Sequence, residues 1–177
     1  MQFRDLKKQY QSLKPQIDEA VIKVMTDANF ISGAQVKALE ERLAKYVGVK
    51  HCITCANGTD ALKLAEMALG IGPGDAVFVP DFTFFASAET VADLGATPVF
   101  VDVDPQTFNI SPEALESAIK SVCEDGRVKP KAIVAVDLFG LPANFPAIEA
   151  IAEKYGLLVI EDGAQGFGGN INGKRAC

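Results

Sequence analysis

The sequence has a single histidine, His51, in 177 residues. That leaves no histidine cluster and no plausible metal site. His51 follows a Gly48-Val49-Lys50 turn and is expected at the surface or a sheet edge. Basic residues are also in deficit, with 17 Lys and Arg against 23 Asp and Glu and a net charge of −6. A nucleic-acid-binding face needs clustered Lys and Arg, so that class is excluded. A small anion can still bind through backbone N–H groups at a helix N-terminus. No apolar run approaches the ~20 residues of a membrane span. Residues 1–14 are polar and charged, unlike a secretory signal. Repeats, low-complexity tracts and linkers are missing.

Cysteines number four: Cys52, Cys55, Cys123 and Cys177. Cys52-Ile53-Thr54-Cys55 has CxxC spacing, but a redox pair opens a helix. This segment reads as a strand, where residues three apart face opposite ways. The four are expected to be reduced packing thiols of a cytoplasmic protein. Gly70-Ile71-Gly72-Pro73-Gly74 runs from helix to strand, the reverse of a dinucleotide-binding turn.

What is present is a two-part pattern. Two amphipathic helices come first, over residues 12–28 and 34–46. Pro15 suits the first turn of one, with Ile17, Ala20, Val21, Val24 and Met25 on its apolar face. Val36, Leu39, Leu43 and Val47 form the stripe of the other. Strand-like segments follow at 51–56, 76–79, 98–103, 132–138 and 157–161. Helix-like segments at 60–69, 86–94, 112–122 and 145–155 alternate with them. Continuous apolar runs such as Ala132-Ile133-Val134-Ala135-Val136 suit a parallel sheet covered on both faces. The expected class is α/β, a mostly parallel sheet sandwiched by helices. Ligands of such sheets bind beyond the carboxyl ends of the strands.

Three segments at those ends carry chemistry. Asn57-Gly58-Thr59-Asp60 opens a helix. Gly58 lets a ligand approach the backbone, and the helix end with the Thr59 hydroxyl suits a phosphate. The same residues also suit an ordinary helix cap. Phe82-Thr83-Phe84-Phe85 offers a ring to stack on a flat ligand, or three core side chains. Val159-Ile160-Glu161-Asp162 delivers a carboxylate to the sheet's end. If buried, Asp162 needs a partner such as a protonated heterocyclic nitrogen; otherwise it caps a helix or meets solvent. Gln165 could bond the same ligand or cap a turn.

In order and spacing these segments resemble the DegT/DnrJ/EryC1/StrS family of pyridoxal 5′-phosphate (PLP) enzymes acting on nucleotide-linked keto-sugars. The likeness runs through Phe3-Arg4-Asp5-Leu6, Phe30-Ile31-Ser32-Gly33, Cys55-Ala56-Asn57-Gly58-Thr59-Asp60-Ala61-Leu62, Gly72-Pro73-Gly74-Asp75, Val159-Ile160-Glu161-Asp162-Gly163-Ala164-Gln165 and Gly173-Lys174. It implies the N-terminal part of the fold-type I transferase large domain, truncated before its remaining strands, with residues 1–48 as N-terminal helices and 49–177 as the α/β core. It implies a homodimer and PLP as cofactor. Gly58 and Thr59 match the phosphate-holding residues, and Phe84 the ring-stacking aromatic. Asp162 matches the acid on the ring nitrogen, and Gln165 the residue near the ring hydroxyl.

The implied reaction moves an amino group, with glutamate as donor, to a nucleotide-linked keto-sugar for surface polysaccharide or amino-sugar biosynthesis. The nearest likeness is to UDP-linked 3-keto-hexuronate aminotransferases. Two related alternatives are a sugar dehydratase, with His in place of the Schiff-base lysine, and a non-catalytic regulatory paralogue. Asp162, Thr59 and Gln165 argue against the second.

The family's Schiff-base lysine is expected beyond Cys177, and its small C-terminal domain outside these residues. No catalytic residue is therefore expected in this chain, and the 177 residues alone are expected to be inactive. Lys174 reads as a solvated residue of an Asn172-Gly173-Lys174 hairpin turn. Gly163 stands where the family usually has Ala. Asp137-Leu138-Phe139-Gly140-Leu141 departs from the usual Tyr before the Gly and frequent Gln after it.

Overall fold

The computed structural model describes residues 4–177. Met1, Gln2 and Phe3, part of the polar amino-terminal stretch and of the Phe3-Arg4-Asp5-Leu6 motif, lie outside the described residues.

Helix α1 spans Leu6–Asp27 and α2 spans Ala34–Val47. The first begins six residues before the expected start at 12, because Asp5 caps it by accepting the Lys8 N–H at 2.9 Å. Pro15 therefore lies inside the helix and not in its first turn. Neither helix has a buried residue. Of the expected α1 stripe only Val24 is half-buried; Val36, Leu43 and Val47 of α2 are half-buried too.

The next expected strand, 51–56, does not form. Backbone hydrogen bonds make a strand, and this segment has no neighbouring strand to supply them. It is held to α2 instead, where Glu40 Oε1 accepts from Thr54 N at 2.9 Å and from Thr54 Oγ1 at 2.8 Å. These two bonds pull the Glu40 carboxyl below its ordinary range. Cys52 and Cys55 thus sit in irregular chain, and all four cysteines are free.

From residue 58 the alternation holds: α3 (Gly58–Ala68), β1 (Asp75–Pro80), α4 (Ala86–Asp93), β2 (Thr97–Val101), α5 (Pro112–Asp125), β3 (Lys129–Val136), α6 (Phe145–Tyr155) and β4 (Leu158–Asp162). The four strands form one parallel sheet in the order β2-β1-β3-β4, one strand fewer than the sequence pattern suggests. Expected strand 98–103 stops at Val101, and Val103 makes only a lone antiparallel bridge with Ile110. Expected strand 132–138 starts earlier and ends at Val136, because Leu138–Gly140 folds into a 3-10 turn with Phe139 at φ 56°.

Period-two alternation sorts the sheet side chains onto two faces. Val77, Val79, Ala132, Val134 and Val136 pack with Leu62 and Val91 of α3 and α4. Phe78, Ile133 and Ala135 pack with Leu115, Ile119 and Ile148 of α5 and α6. Each fully buried aliphatic or aromatic side chain contributes roughly 1.5–3 kcal/mol. This two-faced burial holds the strand ends in fixed relation, and those ends carry the site. The α/β class with a parallel sheet sandwiched by helices is the expected one. No helix among the described residues is long and apolar enough to cross a membrane.

A last hairpin pairs β5 (Asn170–Ile171) with β6 (Lys174–Arg175). Its two turn residues, Asn172 and Gly173, have φ of 52° and 82°. Positive φ at both central residues is the tight hairpin turn that Asn-Gly favours.

Candidate cofactor site

The carboxyl end of β4 and the N-termini of α3 and α4 open onto one cleft of about 550 Å³. Gly58, Thr59, Phe84, Asp162 and Gln165, the five residues singled out in the sequence, all line it.

At one wall, Asn57 caps α3. Its Oδ1 accepts from Asp60 N at 2.9 Å, and its Nδ2 donates to Asp60 Oδ2 at 3.0 Å. The Asp60 carboxylate is thus drawn onto Asn57. Ala61 N is bonded to Asn57 O at 3.0 Å. The N–H groups of Gly58 and Thr59 are the helix donors left without an intrahelical acceptor. A Cβ placed on Gly58 would meet nothing within 4 Å. The space there is open, and nothing in this chain's own packing demands a glycine.

Opposite stands the segment between β1 and α4. The core alternative for its three rings fails: Phe82, Phe84 and Phe85 are 50%, 71% and 72% exposed. Phe84 alone of the three lines the cleft. Phe82 forms an aromatic cluster with Phe108 and Phe139, at centroid distances of 5.7 and 6.4 Å.

Asp162 ends β4, in register with Val136, and is buried at 8% exposure. Its Oδ2 accepts from Ser87 Oγ at 2.8 Å and its Oδ1 from Ala164 N at 3.3 Å. Ser87 Oγ lies 3.1 Å from Thr83 Oγ1. Sequence reading missed Ser87. No local signal marks it: Thr83 lies in the bend before α4 and Ser87 in the helix's first turn. Gln165 Oε1 accepts from Phe139 N at 2.7 Å, so its amide NH₂ is the end without a partner among the described residues.

A second acid stands in the strand-end segment 137–140, to which the sequence reading gave no chemical role. Asp137, fully buried at the end of β3, accepts from Ala143 N at 2.9 Å through Oδ1, while its Oδ2 has no partner. A Cβ on Gly166 would lie 2.2 Å from that oxygen, so the Gly166 backbone walls it in. Burial, with Glu161 and Asp162 close by, pushes the Asp137 carboxyl up to about 7.

The sequence profile of the DegT/DnrJ/EryC1/StrS aminotransferase family matches residues 11–177. The chain belongs to that family. It is 52% identical, over its whole length, to UDP-2-acetamido-2-deoxy-3-oxo-D-glucuronate aminotransferase of Pseudomonas aeruginosa, and spans 47% of that protein. A DegT/DnrJ/EryC1/StrS aminotransferase from Brucella abortus superposes with a TM-score of 0.97 at 50% identity, over 99% of this chain and 47% of that one. NtdA of Bacillus subtilis, solved with bound cofactor PMP, superposes with a TM-score of 0.84 at 34% identity, over 93% of this chain and 36% of that one. The chain spans about half the length, or less, of the relatives it matches. Its fold matches part of a fold-type I aminotransferase.

A Cβ on Gly163 would lie 2.2 Å from Cys177 Sγ, the end of an exposed side chain. Burial and the neighbouring acids push the Cys177 thiol up from its ordinary value. Lys174 is exposed in the β5–β6 hairpin. It borders a separate cavity of about 290 Å³ with Pro142 and Phe145, outside the main cleft.

Proposed function

We propose that the whole protein is a PLP-dependent aminotransferase for nucleotide-linked keto-sugars, and that this cleft holds its cofactor. The observation that carries the reading is Asp162. It is a buried, donor-held carboxylate in the same cleft as the free N–H groups of the α3 N-terminus.

The residues present fit the group. Two backbone donors and the Thr59 hydroxyl suit a phosphate at a helix N-terminus. The exposed Phe84 ring offers a flat face. The Gln165 amide NH₂ can donate to a ring oxygen. A volume of about 550 Å³ lies in the range of cofactor pockets. When bound, PLP supplies the electron sink that lets an amino group pass between donor and acceptor. Asp162 holds the proton on the ring nitrogen by charge pairing. Gly58 and Thr59 anchor the phosphate, and Phe84 fixes the ring plane.

The finer reading takes glutamate as amino donor and a UDP-linked 3-keto-hexuronate as acceptor, in surface polysaccharide or amino-sugar biosynthesis. The identity to the Pseudomonas enzyme supports it. It also includes a cytoplasmic homodimer. The test is absorbance titration of the whole protein with PLP, then mass spectrometry of the sugar after addition of glutamate. No PLP binding would sink the reading.

Two expected outcomes follow from the geometry. Thr59→Ala removes one hydrogen bond to a charged group and weakens PLP binding by roughly 1.5–3 kcal/mol, measured by the same titration. An unchanged Kd would take Thr59 out of the phosphate site. Lys174 stands outside the cleft, so borohydride reduction of the PLP-loaded protein leaves it unlabelled. Peptide mapping that finds a stoichiometric phosphopyridoxyl group on Lys174 would contradict the placement.

A further inference from the structure

Asp162 does not stand alone at the end of β4, and the proton count of its neighbours orders them. A carboxylate only accepts. Ser87 has one hydroxyl proton, and the 2.8 Å bond to Asp162 Oδ2 uses it. The 3.1 Å contact between Thr83 Oγ1 and Ser87 Oγ is then a bond that Thr83 donates. The result is a one-way chain, Thr83 to Ser87 to Asp162, in which each hydroxyl strengthens the next as a donor. Ser87 is 1% exposed, so no water competes for its proton. Ala164 N holds the other carboxylate oxygen at 3.3 Å. With one donor on each oxygen, the plane of the carboxylate is fixed.

The placement of the donors adds a second consequence. Thr83 and Ser87 bracket Phe84, and Ser87 N donates to Phe84 O at 3.1 Å. One short segment therefore sets both the ring that would stack on the cofactor and the orientation of the acid that would meet its nitrogen.

We propose that Ser87 is a positioning residue for the ring-nitrogen contact. It fixes the carboxylate of Asp162, and Thr83 orients the Ser87 hydroxyl. The inference rests on the PLP reading of the cleft. Ser87 itself does not line the cleft and acts through Asp162.

The test is a double-mutant cycle in the whole protein, read as the equilibrium Kd for PLP together with the ¹⁵N shift of ring-labelled PLP. Ser87→Ala should weaken PLP about tenfold and move the ¹⁵N signal toward the unprotonated ring, the scale of one lost hydrogen bond to a charged group. Ser87→Thr keeps the hydroxyl and should stay within about threefold. In an Asp162→Asn background, Ser87→Ala should add about twofold at most, because the effect runs through Asp162. Thermal unfolding of each apo-protein reports whether the variant is folded, and the Thr variant preserves the test if the Ala variant is not. Wild-type PLP binding with an unmoved Kd and ¹⁵N shift in Ser87→Ala overturns this inference alone. So does an equal loss in the Asp162→Asn background. A wild type that binds no PLP overturns both this inference and the reading beneath it.

Discussion

On the proposed reading, Asp162→Ala should weaken PLP binding by about 3–5 kcal/mol, on the order of a hundredfold or more in Kd, and largely abolish amino-group transfer. The reason is asymmetry. The substitution would leave the protonated ring nitrogen without a charge partner, and it leaves the buried Ser87 hydroxyl without its acceptor. Leaving one member of a buried charged pair unmatched costs more than the pair itself contributes. Kd by absorbance titration and turnover with glutamate measure the two effects. Near-wild-type turnover in this variant would remove Asp162 from the chemistry.

The second large effect is on stability and depends on pH. In the folded chain Asp137 keeps its proton up to about pH 7, whereas its ordinary value is 3.8. The folded state thus binds more protons than the unfolded state in that window. Its contribution to stability is fully present below the ordinary value and is lost as pH rises toward 7. Asp137→Asn removes the ionisation and keeps an oxygen to accept from Ala143 N. The advantage of the apo-protein carrying it over the wild type should widen by roughly 2–4 kcal/mol from pH 5 to pH 8. Denaturant unfolding at the two pH values measures this. A gap between variant and wild type that is the same at both would contradict the account.

Ser87 and Asp137 show where sequence reading runs out. Asp162 was legible because one apolar run, Val159-Ile160, carries it to the sheet's end. Ser87 was not, because its acceptor lies 75 residues away and nothing local sets a helix hydroxyl apart. Asp137 follows the same kind of apolar run as Asp162. Its burial is created by residues distant in sequence, Gly166 above all.

Among the elements, 112–122 and 145–155 were legible because periodicity and caps are local. Ser111 and Asn144 cap α5 and α6 by accepting from Ala114 N and Ala147 N. The expected strand at 51–56 failed for the opposite reason. A strand needs partners from elsewhere, and neither β2 nor β4 at the sheet's edges pairs with it. Pro15 misled the start of α1 through its preference for a first turn, whereas Asp5 caps the helix.

The most direct test of the central claim is a crystal structure of the whole protein soaked in PLP. The account predicts the phosphate on the N–H groups of Gly58 and Thr59, the ring against Phe84, and the ring nitrogen at about 3 Å from the Asp162 carboxylate. A cofactor bound with its phosphate away from the α3 N-terminus, or with its ring nitrogen facing no carboxylate, would contradict it.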